Sequence, residues 1–280
     1  MSRSRFLPVL AVLMLASGPA LAADLIEVPP PAPIEPLPAA SGWYLRGDVG
    51  YTFKSRNEGS WKFWNPDPVY RGVDDTFNYD DFDLDGGASF GAGVGYRFTD
   101  NFRMDATVDY FNPDFKGSTQ CPSYVAASQY GQAAPNISCK YSDKADVDIW
   151  TAMANAYVDL PVFGPLVVPY IGAGIGAAYV DYGNLRSEEC GVECGIATNR
   201  SFDHKGLDDW RFAASLMAGA TVDLTGALKL DAGYKYTHIS GGDAFAYDAA
   251  DQATGAKGAQ LKDDGFDLHT VRVGLRYEFH

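Results

Sequence analysis

Apolar and polar side chains alternate along residues 266–279, the last stretch of the chain before its final histidine. A β-strand places successive side chains on opposite faces, so this stretch predicts a strand with one apolar face and one largely charged face. The apolar parity holds Val271, Val273, Leu275, Tyr277 and Phe279, and the polar parity holds Thr270, Arg272, Gly274, Arg276 and Glu278.

Seven further segments repeat this alternation, which predicts eight antiparallel strands. The connections after the second, fourth and sixth strands are short turns, whereas those after the first, third, fifth and seventh are long and polar. Membrane barrels show that asymmetry, with short periplasmic turns and long extracellular loops. The predicted strands are residues 42–54, 81–99, 102–112, 146–160, 168–183, 209–224, 228–240 and 266–279, and the long loops are 55–80, 113–145, 184–208 and 241–265.

The alternation allows two closed barrels, a membrane barrel with its apolar face outside or a lipocalin-like soluble barrel with that face inside. The mean hydropathy of −0.16 and the lack of an 18-residue apolar run beyond the first residues argue against helical spans. Aromatic residues at both ends of the apolar faces, with aliphatic residues between them, favour the membrane barrel, because aromatic girdles mark the two interfaces. We therefore predict an all-β fold, an eight-stranded antiparallel up-and-down transmembrane β-barrel with four long extracellular loops, in the bacterial outer membrane. The predicted periplasmic girdle is Trp43, Phe98, Phe102, Tyr277 and Phe279, and the outer girdle is Phe53, Phe90, Tyr110, Trp150, Tyr179, Trp210 and Tyr236.

The inward parity carries nearly balanced positive and negative charge, together with many glycines that leave room for large side chains. An eight-stranded interior is just wide enough for side chains to fill, and buried charges must be paired. We therefore predict a charge network that fills the lumen and leaves no wide pore. Its main predicted members are Arg46, Asp48, Arg97, Arg103, Asp105, Asp109, Arg211, Asp231, Lys235, Arg272, Arg276 and Glu278, and Lys54, Lys229, Asp159 and Asp223 share their parity.

The N-terminal residues predict export. Two arginines, a short apolar stretch and Ala20-Leu21-Ala22 predict a signal peptide over residues 1–22, followed by a proline-rich periplasmic linker over 23–41 and the barrel over 42–280. An oxidising compartment favours disulfides. Pairing within each loop is the expectation for Cys121 and Cys139 in the second loop and for Cys190 and Cys194 in the third.

Other candidate sites are weaker. Residues 81–86 match the opening of a calcium loop, but residue 92 is alanine where a bidentate glutamate is needed, so no metal and no cofactor is expected. His238 and Ser240 are spaced as in lipid A 3-O-deacylases, which they resemble, yet a girdle histidine and a strand-end serine are the simpler interpretation, and no enzyme is predicted. For the acidic pairs in the loops we expect either solvated surface or bridging to lipopolysaccharide phosphates through divalent cations. The aromatic residues of the first loop are candidates for ligand contact. The acidic pairs are Asp74 and Asp75, Glu188 and Glu189, and Asp263 and Asp264, and the aromatics are Trp61, Phe63, Trp64 and Tyr70.

Four motifs carry a family resemblance: Ala-Ala-Asp-Leu at 22–25, Gly-Trp-Tyr-Leu-Arg-Gly at 42–47, Tyr-Lys-Tyr-Thr-His-Ile at 234–239 and the strand at 271–279. In this order they resemble the small outer-membrane β-barrel surface proteins of alphaproteobacteria, the "porin family", and more distantly the OmpA and OmpX type barrels. The resemblance implies a role in envelope integrity, as a surface antigen or in ligand or host contact. His280 departs from it, because the family usually ends on the aromatic.

The expected partners follow from this interpretation. They are outer-membrane lipid and lipopolysaccharide, and the barrel-assembly machinery during insertion, with the protein itself a monomer. Nucleic acid is excluded by the net charge of −14. Two alternatives remain open: a narrow small-solute channel and an outer-leaflet lipid-modifying enzyme.

Overall fold

The structure is a computed structural model that describes residues 42–121, 139–162, 166–189 and 200–279. The predicted signal peptide and linker, Cys190, Cys194 and His280 lie outside the described residues. The strands are β1 (Gly42–Thr52), β2 (Ser55–Asn57), β3 (Gly59–Asn65), β4 (Gly72–Asn78), β5 (Asp81–Leu84), β6 (Gly87–Arg97), β7 (Phe102–Phe111), β8 (Asp114–Cys121), β9 (Cys139–Asp159), β10 (Val167–Tyr182), β11 (Leu185–Glu189), β12 (Ser201–His204), β13 (Asp208–Asp223), β14 (Leu228–Ala246) and β15 (Ala259–Glu278), and a short helix α1 spans Ala249–Ala253.

Eight of these strands close into a ring. Each pairs antiparallel with its neighbours in the order β1, β6, β7, β9, β10, β13, β14 and β15, and β15 returns to β1 with Tyr44 opposite Glu278 and Thr52 opposite Thr270. The predicted eight-stranded antiparallel barrel is therefore confirmed, and closure leaves no free edge among these strands. No helix in the described part of the chain is long and apolar enough to cross a bilayer.

The faces of the barrel strands follow the predicted parity. Val49 is 59% exposed and Leu275 51%, whereas Arg46 is 6% exposed and Arg276 is fully buried. The apolar parity thus points outward and the charged parity inward. Aromatic side chains lie at both ends of the outer face, with the Trp150 and Tyr110 ring centroids 4.5 Å apart at one end.

The long connections lie at one end of the barrel, here called the loop end, and the short turns at the other, the turn end. The prediction that these connections are loops was wrong for much of their length. β2, β5, β8, the first part of β9, β11 and β12 form a second sheet above the barrel strands, and the β3–β4 hairpin pairs with β15. Strands there satisfy main-chain hydrogen-bonding groups that irregular loops would leave to water.

The segment 81–99 is not one strand, as predicted. β5 and β6 separate at Asp85 and Gly86, where a Cβ on Gly86 would lie 2.9 Å from the Thr52 carbonyl oxygen. The chain turns inward at this point, so Phe82 and Leu84 are buried at 1% and 0% exposure instead of continuing the outward face.

These two side chains belong to an apolar cluster, here called the plug, in the loop-end half of the molecule. Fully burying one such side chain contributes roughly 1.5–3 kcal/mol. The plug also closes the top of the charged interior. Its members include Phe82, Leu84, Phe111, Phe115, Val147, Ile149, Val180, Tyr182, Phe245, Phe266 and Leu268.

Candidate functional site

The turn-end half of the lumen is filled by ion pairs centred on Arg46. Its guanidinium donates to Asp48 at 2.7 and 2.9 Å and to Asp105 at 3.0 Å. Asp105 accepts further hydrogen bonds from Asn155 at 2.8 Å and from the Tyr44 hydroxyl at 3.1 Å. Because these groups are buried together, the charge of each is offset inside the barrel.

A second set of ion pairs lies nearer the turn end. Arg103 donates to Asp159 at 3.1 Å, and its guanidinium lies 4.1 Å from the centroid of the Tyr157 ring. Arg276 lies 3.4 Å from Asp231, and Arg97 donates to Glu278 at 2.8 Å.

Lys235 and Arg272 occupy the boundary between the charges and the plug. Lys235 donates to Asp109 at 2.7 Å. Arg272 forms no carboxylate ion pair within the described ranges, and its guanidinium lies 3.4 Å from the Met217 sulfur. Arg272 borders a cavity of about 50 Å³, which is large enough for water and is lined by both apolar and polar side chains.

Two inward assignments need correction. Lys54 lies beyond the end of β1, and its half-exposed side chain pairs with Asp83 at 2.8 Å, so it is not in the lumen. Arg211 is buried but lies among residues of the plug, 5.7 Å from the centroid of the Phe266 ring, where it donates to Asp263 at 2.8 Å and to Asp209 at 2.6 Å. It therefore does not contact the network around Arg46.

Inward glycines provide the space for the large side chains. A Cβ on Gly172 would lie 2.6 Å from the Tyr157 ring, and one on Gly219 would lie 2.6 Å from the Tyr170 hydroxyl. Both tyrosines are almost fully buried, and the Arg103 guanidinium lies 4.1 Å from the centroid of the Tyr157 ring and 4.9 Å from that of the Tyr170 ring.

Above the plug, the loop-end strands surround a cavity of about 350 Å³. Trp61, Phe63 and Trp64 of the predicted loop aromatics line it, whereas Tyr70 is 71% exposed elsewhere. Strand β9 contributes Asp143, and α1 contributes Asp251. The cavity thus combines aromatic surface with carboxylates from segments far apart in sequence.

The carboxylates of this cavity have perturbed acidities. Burial raises the pKa of Asp143, although hydrogen bonds from Ser187 and Tyr79 and the charge of His204 oppose this. Burial and the charge of Asp248 raise the pKa of Asp251 to about 6. Both groups hold their negative charge less readily than an exposed aspartate.

Sequence reasoning did not identify Asp143, although a signal was present. The inward parity of β9 runs from Asp159 through Thr151 and continues unbroken to Asp143. Asp263, by contrast, was treated as solvated but is 3% exposed. In β15 the residues that face inward are even-numbered from Phe266 onward but odd-numbered at Asp263. The change occurs next to Gly265, which has a φ of +110°. Alternation in the sequence alone does not reveal it.

The remaining candidates are placed as follows. The backbones of Cys121 and Cys139 lie directly opposite each other in the β8–β9 ladder, and the disulfide itself stays a prediction. In the calcium-like stretch, Asp83 pairs with Lys54 and Asp85 with Lys116, and no cluster of three or more metal-binding residues occurs in the part of the chain that is described.

His238 has the acid partner that the sequence did not identify. Its Nδ1 lies 2.9 Å from Asp267 Oδ1, on the outer face of the barrel. Among the described hydrogen bonds, none joins His238 to the Ser240 hydroxyl. Of the acidic loop pairs, Glu189 is also buried rather than solvated, at 3% exposure.

A closed eight-stranded ring with an apolar exterior and a charge-filled interior defines a transmembrane β-barrel. The chain belongs to the outer membrane protein beta-barrel domain family, which it matches over residues 9–279. The predicted resemblance and the location in the bacterial outer membrane are therefore confirmed.

Individual relatives range from close to distant. An "uncharacterized protein" of Brucella suis biovar 1 is 53% identical over 276 residues, covering 95% of both chains. Outer membrane protein PagN of Salmonella typhimurium is 27% identical over 202 residues, covering 65% of this chain and 78% of PagN. The outer membrane protein OprG of Pseudomonas aeruginosa has a TM-score of 0.44 at 13% identity, covering 86% of this chain and 97% of OprG.

Proposed function

We propose that the protein is a structural and surface-interaction barrel whose lumen does not conduct and whose loop end faces the outside of the cell. The observation that supports this most strongly is the two-part filling of the lumen. A solute would have to separate ion pairs of 2.7–3.0 Å around Arg46 and then cross the plug, in which Ile149 and Phe266 are 1% exposed. The orientation is supported by the long connections at one end, which outer-membrane barrels carry on the cell exterior.

Two measurements test this function. Purified protein in planar bilayers is expected to give no conductance steps, whereas steady single-channel currents would favour the runner-up, a narrow small-solute channel. Protease added to intact cells is expected to cut only connections at the loop end. Cleavage at the turn end instead, for example at Asp100 between β6 and β7, would show that the turn end faces the outside of the cell.

The partners proposed for the barrel follow from its surface. The exposed apolar band would contact outer-membrane lipid and lipopolysaccharide, with the barrel-assembly machinery needed for insertion. One chain completes the ring, so we propose a monomer. A molar mass of one chain in detergent, measured by light scattering with the detergent contribution subtracted, is the expected result, and a dimer mass would contradict it.

A second candidate, an outer-leaflet lipid-modifying enzyme, is favoured by one observation. Asp267 would orient His238 as a general base, as an acid does in hydrolase triads. The serine would be Ser240. This candidate is supported if overexpression of the wild type changes the mass of lipid A and overexpression of Ser240→Ala does not. Unchanged lipid A with both proteins would exclude it.

A further inference from the structure

The loop-end cavity has walls that suit a positively charged ligand. Its aromatic side chains come from β3, from the residue after β4, from β9 and from β12, so aromatic rings of four segments line it. The negative face of an aromatic ring attracts a cation, most strongly when water is excluded. The aromatic residues are Trp61, Phe63, Trp64, Tyr79, Tyr141 and Phe202.

The same cavity is lined by three carboxylates, together with the guanidinium of Arg200 and the imidazole of His204. Asp143 is 4% exposed and accepts a hydrogen bond from the Tyr79 hydroxyl at 2.7 Å, and the basic group acting on it is His204. Asp251 faces the second carboxylate of Asp248. In the described part of the chain, none of these three forms an ion pair with lysine or arginine. Asp143 is buried and Asp248 and Asp251 are partly buried, and a negative charge removed from water is stabilised by a counter-charge.

A further acceptor on the cavity wall is independent of these acids. Gln260 is 8% exposed, and its amide nitrogen donates to the Lys62 carbonyl at 3.1 Å. Its carbonyl oxygen has no hydrogen-bond partner among the described residues. A buried acceptor without a donor costs about 1–3 kcal/mol, so a ligand N–H or O–H would be stabilised there.

We propose that this cavity binds a small organic cation, a molecule with an alkylammonium or methylammonium group. The ammonium lies among the aromatic rings near Asp143 and Asp251, and a polar group of the ligand donates to Gln260. The volume of about 350 Å³ falls in the range of small-molecule sites. The proposal rests on the proposed surface-interaction role and names the class of ligand for it.

The test uses the full mature chain, folded in detergent micelles, with choline as the probe in calorimetric titration. The matched control is 3,3-dimethyl-1-butanol, in which a neutral carbon replaces the nitrogen. Choline is expected to bind at least tenfold more tightly than the neutral molecule. Equal affinities, no choline binding at millimolar concentration, or tighter binding of the neutral sugar glucose would each overturn the proposal.

Variants locate the site. Asp143→Asn and Asp251→Asn are each expected to weaken choline binding at least tenfold, whereas Asp264→Asn, an exposed aspartate outside the cavity, leaves it unchanged. Heat-modifiable migration on gels shows which variants fold. If Asp143→Asn does not fold, Asp251→Asn on the largely exposed helix α1 decides alone. Wild-type affinity in every folded cavity variant would overturn the proposal.

Failure of this inference is distinguishable from failure of the proposed function. Choline binding in micelles does not depend on which end faces outward or on whether the lumen conducts. If the bilayer recording shows no current and choline does not bind, only the proposed cation site is contradicted. If the barrel conducts and choline binds, only the proposed function is contradicted.

Discussion

Arg46 shows what a single inward residue does in this barrel. It lies among carboxylates of β1 and β7, with 2% of its side chain exposed, and it donates to both Asp48 and Asp105. Arg56 offers a matched contrast, because its side chain is 78% exposed and lies 3.7 Å from Asp83. Arg46 thus forms hydrogen-bonded ion pairs inside the barrel, whereas Arg56 forms a longer ion pair in solvent.

Arg46→Leu should therefore lower the free energy of unfolding by about 3–5 kcal/mol, because it leaves two carboxylates buried without their cation. Arg56→Leu should cost less than about 1 kcal/mol, as exposed pairs do. Urea unfolding in lipid vesicles, followed by tryptophan fluorescence, measures both. Equal losses in the two variants would contradict a buried, paired network.

At the scale of the element, the β8–β9 hairpin shows where the alternation misled. The stretch 113–145 was predicted to be a loop, yet β8 and the first part of β9 pair from Asp114 opposite Asp146 up to Cys121 opposite Cys139. Directly opposed residues in an antiparallel ladder have Cα atoms about 4.5–5.5 Å apart, which suits a disulfide.

We predict that Cys121 is disulfide-bonded to Cys139 in the exported protein. Proteolytic digestion without reduction should then release the two cysteine-containing peptides joined, and reduction should separate them. Free thiols in the unreduced protein, or a bond from Cys121 to Cys190, would contradict this pairing.

Helix α1 carries a pH dependence of its own. Burial and Asp248 raise the pKa of Asp251 to about 6 from its ordinary value of 3.8. The folded helix therefore binds a proton more tightly than the unfolded segment does. This contribution to stability is complete below pH 3.8 and is lost as the pH rises through about 6.

Hydrogen exchange, corrected for the intrinsic pH effect, should show greater protection of residues 249–256 at pH 4.5 than at pH 7.5. Asp251→Asn should remove most of that difference, because the amide does not titrate. Protection that increases with pH in the wild type would show that another group controls the helix.

At the scale of the whole molecule, alternation was sufficient to predict the ring. Strand number and direction follow from the period of two and from the alternating lengths of the connections. The outward face, and with it the paired interior around Arg46, follows from the aromatic residues at both ends of the apolar faces. The loop-end layer did not follow, since no lipid constrains its pattern there. Its cavity depends on contacts between distant segments, such as Tyr79 with Asp143, which no local signal encodes.

The plug was missed for a related reason. Val147, Ile149 and Phe111 face inward with the same parity as the charged residues. Because the interior was predicted to be polar, these apolar residues were not assigned to it. Inward apolar residues at the loop-end half of a membrane barrel are a signal that its lumen is closed.

The central claim is that the apolar outer face meets lipid while the loop-end layer does not, and single-tryptophan variants in vesicles with brominated acyl chains test it most directly. Trp150 and Trp210, 46% and 68% exposed on the barrel exterior, should be strongly quenched. Trp61, on the wall of the loop-end cavity, should keep nearly all of its fluorescence. Equal quenching at all three positions, or none at Trp150 and Trp210, would contradict the account.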